Sequence, residues 1–362
     1  MRDQKRWRLL DTGLRSAAEN MALNKTLLEL HQEGFIPNTL RFLQFPPSAL
    51  IGFHQSVEQE LREDYCKENG IEIQRRITGG GAIYFDQTQI GWELYLDKQT
   101  LGTADMGEIA KKICTAAAKG ISALGVNAEF RPRNDIEVDG KKISGTGGAF
   151  DGNSILYQGT LLVDFDVERM LRVLKIPAEK LNDKMIESAR ERVANLKDLL
   201  GEAPALDKVK SEMMKAFAKE LDLEFFVADE LSEVEKRRFA ENLTDIDTSE
   251  WVYLNQKPAS ASVNMDGISK TAGGLMRVTV GLDTERNHIK QLWITGDFFV
   301  NPRRMIIDLE AALKDTPVAD LRVNVNRFFD NYPVEMLMLS RADFIAAIES
   351  ALQLETLEES VG

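Results

Sequence analysis

The sequence predicts an α+β protein: a mixed or antiparallel sheet flanked by helices, followed by a small α+β accessory domain. Two observations carry that fold class. Strand-like alternating runs between 128 and 165 are punctuated by Asp139-Gly140 and Asp151-Gly152, pairs that close tight hairpins. Before and after them stand segments with apolar residues at helical spacing. A third observation gives the division. The polar, proline-containing stretch Asp245–Pro258 precedes a second mixed unit, so the expected domains are 1–247 and 258–352, with 353–362 a frayed acidic tail.

The elements follow in order. GLRSAAENMALNKTLLELHQEG reads as a helix stopping at Gly34, a residue free to take the left-handed backbone of a C-terminal cap. TLRFLQF and ALIGF read as short strands around Pro46-Pro47, and VEQELREDYCKENG as a charged amphipathic helix closed by Gly70. IEIQRR, GAIYFD and GWELYLD read as successive strands, and MGEIAKKICTAAAKGISALG as the next helix. Further helices are expected near Val167–Leu174, Leu206–Leu221 and Ala228–Asn242. Beyond the boundary, LMRVTVGLD and HIKQLWITGDFF suggest strands, and NPRRMIIDLEAALKD and RADFIAAIESALQ suggest helices.

Composition narrows the function. With 45 Lys+Arg against 58 Asp+Glu the net charge is −13, which argues against a broad phosphate-tracking surface and hence against a nonspecific nucleic-acid binder. No apolar stretch approaches membrane-spanning length and the basic start has no signal-type apolar region, so the expectation is a cytoplasmic monomer without a membrane partner. The two cysteines, Cys66 and Cys114, fall in helix-like segments without metal-type spacing. His31, His54 and His288 are the whole histidine stock. A disulfide scaffold, a zinc site and a histidine-based triad are all disfavoured.

Three stretches carry chemistry. In RRITGGGAIYFD, Arg75 and Arg76 precede Thr78, Gly79, Gly80, Gly81 and Ala82. Glycines between strands let amide groups approach a ligand without a Cβ in the way. Successive strand residues alternate, so one arginine faces a pocket and the other packs outside; Arg76 is the pocket candidate. A glycine-rich hairpin with solvated arginines fits the same residues. In RNDIEVDGKKISGTGGAF, Lys142 stands beside Ser144 and Gly145, downstream of Asn134 and Asp135. A lysine ammonium is a compact charge suited to an oxyanion or phosphate, and Asp135 is a candidate for Mg²⁺ or for a ligand amine. The plain alternative is an Asp-Gly hairpin with exposed lysines, which is the reading for Lys141. In YQGTLLVDFD, Gln158, Gly159 and Thr160 read as a polar corner opening into an apolar strand.

Together these residues resemble the lipoate–protein ligase family. The resemblance is carried by Arg75–Gly81 (the family's RR-x-S/T-GGG), Arg133-Asn134-Asp135, Lys142-Ile143-Ser144-Gly145 and Gly159–Leu162. Ser188–Leu200 adds a match to the family's SxRxRVxNL, and TAGGLMRVTVGLD through ITGDFF to its accessory domain. It implies a biotin/lipoate ligase-like fold and a two-step reaction. ATP with Mg²⁺ activates lipoate to lipoyl-AMP, and the acyl group then passes to a lysine of a carrier such as a lipoyl domain, a glycine-cleavage H-like protein or a lipoate-binding protein. Lys142 maps to the essential lysine and Arg76 to the adenylate contact, with the acyl tail along the glycines. Two departures stand out: Phe85 and Gln158 occupy positions where many members carry histidine. In this the chain is similar to ligases of sulfur-oxidising bacteria that serve a dedicated lipoate-binding protein. The rival expectations are an acyltransferase between carriers, which would need a cysteine thiolate, and a lipoate-binding relative without catalysis. Biotin ligation is disfavoured by the absence of a GRG loop. For carrier docking, Arg131, Arg133, Lys141 and the ESARERVANLK segment form a candidate basic patch on an acidic chain.

Overall fold

A computed structural model describes residues 5–132, 134–175, 183–258 and 263–353. The chain divides into two compact units: Met1–Leu50, Glu60–Ile77 and Ile83–Val252 in the first, and Ile51–Gln59, Thr78–Ala82 and Tyr253–Gly362 in the second. The triple glycine thus belongs by contact to the unit built mainly from the C-terminal third.

The chain opens with β1 (Arg6–Leu14), α1 (Ala17–Gln32), β2 (Thr39–Gln44) and β3 (Ser48–Ile51). Ser16 and Glu19 cap α1 reciprocally, each side chain bonded to the other's backbone N–H, and Gly34 beyond its end takes φ +84° as expected. Next come α2 (Val57–Glu60), α3 (Glu63–Glu68), β4 (Glu72–Arg75), β5 (Ile83–Phe85), β6 (Gln89–Asp97) and α4 (Met106–Ser122). Then β7 (Ala128–Arg131), β8 (Asp135–Val138), β9 (Lys141–Asp151) and β10 (Ser154–Leu162) form a run of hairpins. Asp139 and Gly140 both have positive φ, 51° and 76°, the geometry of a two-residue β8–β9 turn. The unit closes with α5 (Val167–Val173), α6 (Asp183–Arg190), α7 (Leu196–Leu200), α8 (Leu206–Glu220), β11 (Glu224–Ala228), α9 (Glu233–Ile246) and α10 (Ser249–Val252).

Its eight-stranded sheet has the order β11-β1-β2-β6-β10-β9-β8-β7, parallel where β1 meets β11 and β2 and antiparallel from β2 to β7. A three-stranded sheet runs β4-β3-β5. One face of the large sheet buries Trp92, Ile136, Ile143 and Tyr157 with Ile113, Ile121 and Phe217 of α4 and α8. The other buries Tyr95 and Leu156 with Leu23, Leu27 and Leu30 of α1. On that second face a buried ion pair is enclosed: Arg41 Nη1 and the Tyr95 hydroxyl both donate to Glu93 Oε2, at 3.0 and 2.7 Å, Asn24 donates to Oε1, and the other guanidinium nitrogens donate to Asn20 and Thr12.

The second unit contains β12 (Val263–Thr271), β13 (Gly274–Asp283), β14 (His288–Gly296), β15 (Val300–Asn301), α11 (Met305–Leu313), β16 (Thr316–Pro317), α12 (Leu321–Asn331), β17 (Glu335–Met336) and α13 (Arg341–Ala351). An antiparallel β12-β13-β14-β16 sheet packs on its helices around Val278, Ile294, Leu309, Val325 and Phe344. Among the described residues no helix is long and apolar enough to cross a membrane.

Several local expectations are corrected. The basic start, which carries no expected element, forms β1 inside the sheet with Trp7 wholly buried, a pairing that only partners distant in sequence supply. The expected helix over 57–70 is broken, because Leu61 bridges to Leu174 and Arg62 N–H donates to Val173 O, diverting that backbone from the helical ladder. The helix expected at Ala228–Asn242 begins only at Glu233, after β11 and a Ser232–Glu235 capping box. Of the expected 353–362 tail, all but Gln353 lies outside the described residues, as does Arg133.

Candidate active site

Lys142 owes its position to an irregularity in β9. Ile136 of β8 pairs with Ser144 but Glu137 pairs with Lys142, so Ile143 is an extra, bulged residue. In a regular strand, residues three apart point to opposite faces; the bulge restores Lys142 and Gly145 to one face. The outcome is visible at Gly145, where an added β-carbon would stand 2.9 Å from both Cε and Nζ of Lys142. The lysine head lies over the glycine, and Nζ sits 2.7 Å from Asp135 Oδ1, on the residue registered opposite Gly145. Lys142 keeps 43% of its side chain exposed and Asp135 21%, so the ammonium is held yet reachable.

The Lys142 backbone is tied down from the other side. Its N–H donates to Arg192 O at 2.9 Å and its carbonyl accepts from Ala194 N at 2.8 Å. Asn195 then clasps the chain after β10: Oδ1 accepts from Phe165 N (2.8 Å) and Nδ2 donates to Phe165 O (3.0 Å). This gives the RVAN segment a physical role that its sequence did not disclose. Thr160 Oγ1 accepts from Gly145 N at 3.3 Å, placing a hydroxyl beside the lysine.

Other expected residues take different parts. Ser144 is opposite Ile136 and fully buried, on the core side of β9. Asn134 donates from Nδ2 to Thr146 O at 3.0 Å and clamps the start of β8 to β9. Gln158, Gly159 and Thr160 are not a corner: they sit mid-strand, paired with Glu93, Trp92 and Gly91 of β6. A β-carbon on Gly159 would meet Trp92 Cζ2 at 2.2 Å, so indole packing demands that glycine. Phe85 is core, buried with its ring centroid 4.7 Å from that of Phe45. Arg131 pairs with Glu137.

Both arginines of the opening motif are buried, in place of the expected inward–outward division. Arg75 donates to the carbonyls of Trp251 (3.0 Å) and Val252 (2.7 Å), and Arg76 to that of Leu50 (2.8 Å). Burial pulls their guanidinium groups down to about 9 and about 10, which leaves both cationic at neutral pH. Thr78, also buried, offers its carbonyl to Phe53 N at 2.9 Å.

The glycines answer to different demands. A β-carbon on Gly79 would stand 2.4 Å from Phe298 O. Gly80 has φ +90°, and its carbonyl oxygen occupies the space a Gly52 β-carbon would need, 1.9 Å away. Gly81 has neither constraint: among the described residues only Asp297 comes within 4 Å of its β position, at 3.8 Å. Ala82 leads from there into β5.

Asp135, the Mg²⁺ candidate, stands against a cation. Its Oδ1 faces the Lys142 ammonium, and among the described residues no three His, Cys, Asp or Glu gather as a metal site. Both thiols are buried, and burial raises Cys66 to about 11 and pushes Cys114 up as well, the reverse of an activated nucleophile.

The architecture, a mixed sheet flanked by helices with a second smaller unit, is that of the biotin/lipoate ligase-like fold. The structure of Plasmodium falciparum LipL1 in complex with lipoate aligns over 96% of this chain and 100% of its own, with TM-score 0.73; at 17% identity it attests the fold alone. Residues 16–218 match the family described as the lipoyl protein ligase A/B catalytic domain, and the chain belongs to that family. Lipoate-protein ligase A subunit 1 of Thermoplasma acidophilum is 31% identical over 216 residues, 57% of this chain and 80% of its own length. Octanoyltransferase LipM of Moorella thermoacetica is 26% identical over 266 residues, 68% of this chain and 97% of its own. A crystal structure of lipoate-protein ligase A bound with ATP aligns with TM-score 0.60 at 28% identity, covering 70% of this chain and 99% of that one.

Proposed function

We propose that the chain is an ATP-dependent lipoate–protein ligase that forms lipoyl-AMP and transfers the lipoyl group to a carrier lysine. The observation that supports this most directly is the Lys142 ammonium, held over Gly145 at 2.7 Å from Asp135 with its backbone N–H and carbonyl both bonded to the Arg192–Ala194 segment. A fixed cation of this kind stabilises the oxyanion that develops when a carboxylate attacks the α-phosphate, and again when an amine attacks the acyl carbonyl. Asp135 keeps the ammonium from swinging into solvent, and Thr160 adds a hydroxyl beside it. Mg²⁺, if required, would arrive on the nucleotide phosphates. The catalytic and accessory portions are assigned to 1–247 and 258–352.

The likeness to LipM favours a second reading, transfer of octanoyl or lipoyl groups between carriers. The buried, high-pKa state of Cys66 and Cys114 weighs against a thiolate acyl holder. The discriminating test is ATP–pyrophosphate exchange with lipoate, octanoate and biotin for the native chain and Lys142→Ala. Lipoate-dependent exchange that falls by about 10²–10³ in the variant supports the ligase. No exchange with any acid, together with a hydroxylamine-sensitive acyl-cysteine after incubation with an acylated carrier, would replace it with the transferase.

A further inference from the structure

Beneath the Lys142–Asp135 pair, on the core face of β9, lies a polar chain that neither site motif requires. Thr146 Oγ1 donates to Asn134 O at 3.0 Å. Its own oxygen faces the Tyr157 hydroxyl at 2.9 Å, and that hydroxyl faces Cys114 Sγ at 3.1 Å. Since Thr146 spends its proton on a carbonyl, Tyr157 donates to Thr146, and the Cys114 thiol donates to Tyr157 or, across 3.6 Å, to Thr146 Oγ1 itself. By either route the donors run from the thiol through the threonine to the Asn134 carbonyl. That carbonyl also accepts from Thr146 N at 2.8 Å, and the Asn134 side chain returns a bond to Thr146 O. Cys114, Tyr157 and Thr146 are 0%, 5% and 7% exposed, so water does not compete for these groups.

Resting on the ligase reading above, we propose that Thr146 is a positioning residue: with Tyr157 and Cys114 behind it, it fixes the Asn134–Asp135 peptide and so the distance between Asp135 and the Lys142 ammonium. Asp135 is the next residue along from the clamped carbonyl and begins β8. Hydrogen-bonded chains of this polarity strengthen one another, and a methyl in place of the threonine hydroxyl interrupts the chain at its last link while keeping the β-branched shape.

The test compares Thr146→Val and Thr146→Ser by lipoate-dependent pyrophosphate exchange. Thr146→Val should lower kcat roughly 3- to 10-fold, the worth of one buried hydrogen bond, with KM for ATP and lipoate within about twofold. Thr146→Ser, which restores the hydroxyl, should recover kcat to within about twofold. Equal losses in both variants, or a loss expressed only in KM, would overturn the proposal, as would Thr146→Val at native kcat. If Thr146→Val does not fold, Tyr157→Phe removes the preceding link and should lower kcat in the same sense; native kcat there overturns it. Should the native chain show no exchange at all, the ligase reading fails, and a crystal structure of Thr146→Val decides the positioning role. There, an Asp135–Lys142 contact unchanged from the native one overturns it, and a parted pair upholds it.

Discussion

Lys142 reaches Asp135 because Gly145 lacks a side chain: the space a β-carbon would fill at Gly145 lies 2.9 Å from the lysine's Cε and Nζ. The KxSG pattern is therefore a steric unit, in which the glycine makes room for the lysine head as well as for any ligand.

Gly145→Ala tests that relationship. The methyl must push the ammonium off the strand, so exchange activity should fall about tenfold while thermal stability changes little, since the displaced group is the free end of a flexible side chain. Native activity in the alanine variant would show that the lysine acts from another position.

At Gly159 the opposite balance is expected. A β-carbon there meets the Trp92 ring at 2.2 Å inside the core. Gly159→Ala should destabilise the first unit by about 1–3 kcal/mol, read as a lowered Tm, and reduce activity only to the extent that folding is lost.

Asn195→Asp separates the clasp from the chemistry. The aspartate can still accept from Phe165 N, but it loses the donor to Phe165 O and buries a charge. We expect a stability loss of about 1–3 kcal/mol together with reduced activity, because the bond from Ala194 to Lys142 O lies one residue away. Activity untouched after correction for unfolding would make Asn195 purely structural.

In the second unit, Glu310 accepts from Ile294 N at 2.7 Å, and burial raises its carboxyl to about 7. The folded state thus binds the proton more tightly than the unfolded chain. Its stabilising contribution is complete below the ordinary carboxylate value, near 4.5, and is lost as pH rises through about 7. The Tm of the second unit should fall between about pH 4.5 and pH 7 and level off above that, and Glu310→Gln should flatten that dependence. A slope that the glutamine variant retains would assign it to other groups.

Much of this was legible in one dimension. The strand runs, the Asp139-Gly140 turn, the capped helix before Gly34 and the pairing of Lys142 with glycines follow from periodicity and backbone preference, which are local. The motifs also pointed to the right family. What escaped was decided by partners far away in sequence. β1 is a strand because β2 and β11 flank it, and the helix after Val57 breaks because Leu174 bridges to Leu61. Gly159 is set by Trp92, and Gly79 and Gly52 by carbonyls of Phe298 and Gly80. The sequence thus determined which residues could hold an anion, since charge and glycine freedom belong to each residue. Only the tertiary structure decided that Lys142 stands beside Asp135: a single bulge at Ile143 turns Lys142 onto the face of Gly145, and hydrogen bonding between strands, which no local pattern encodes, sets that register.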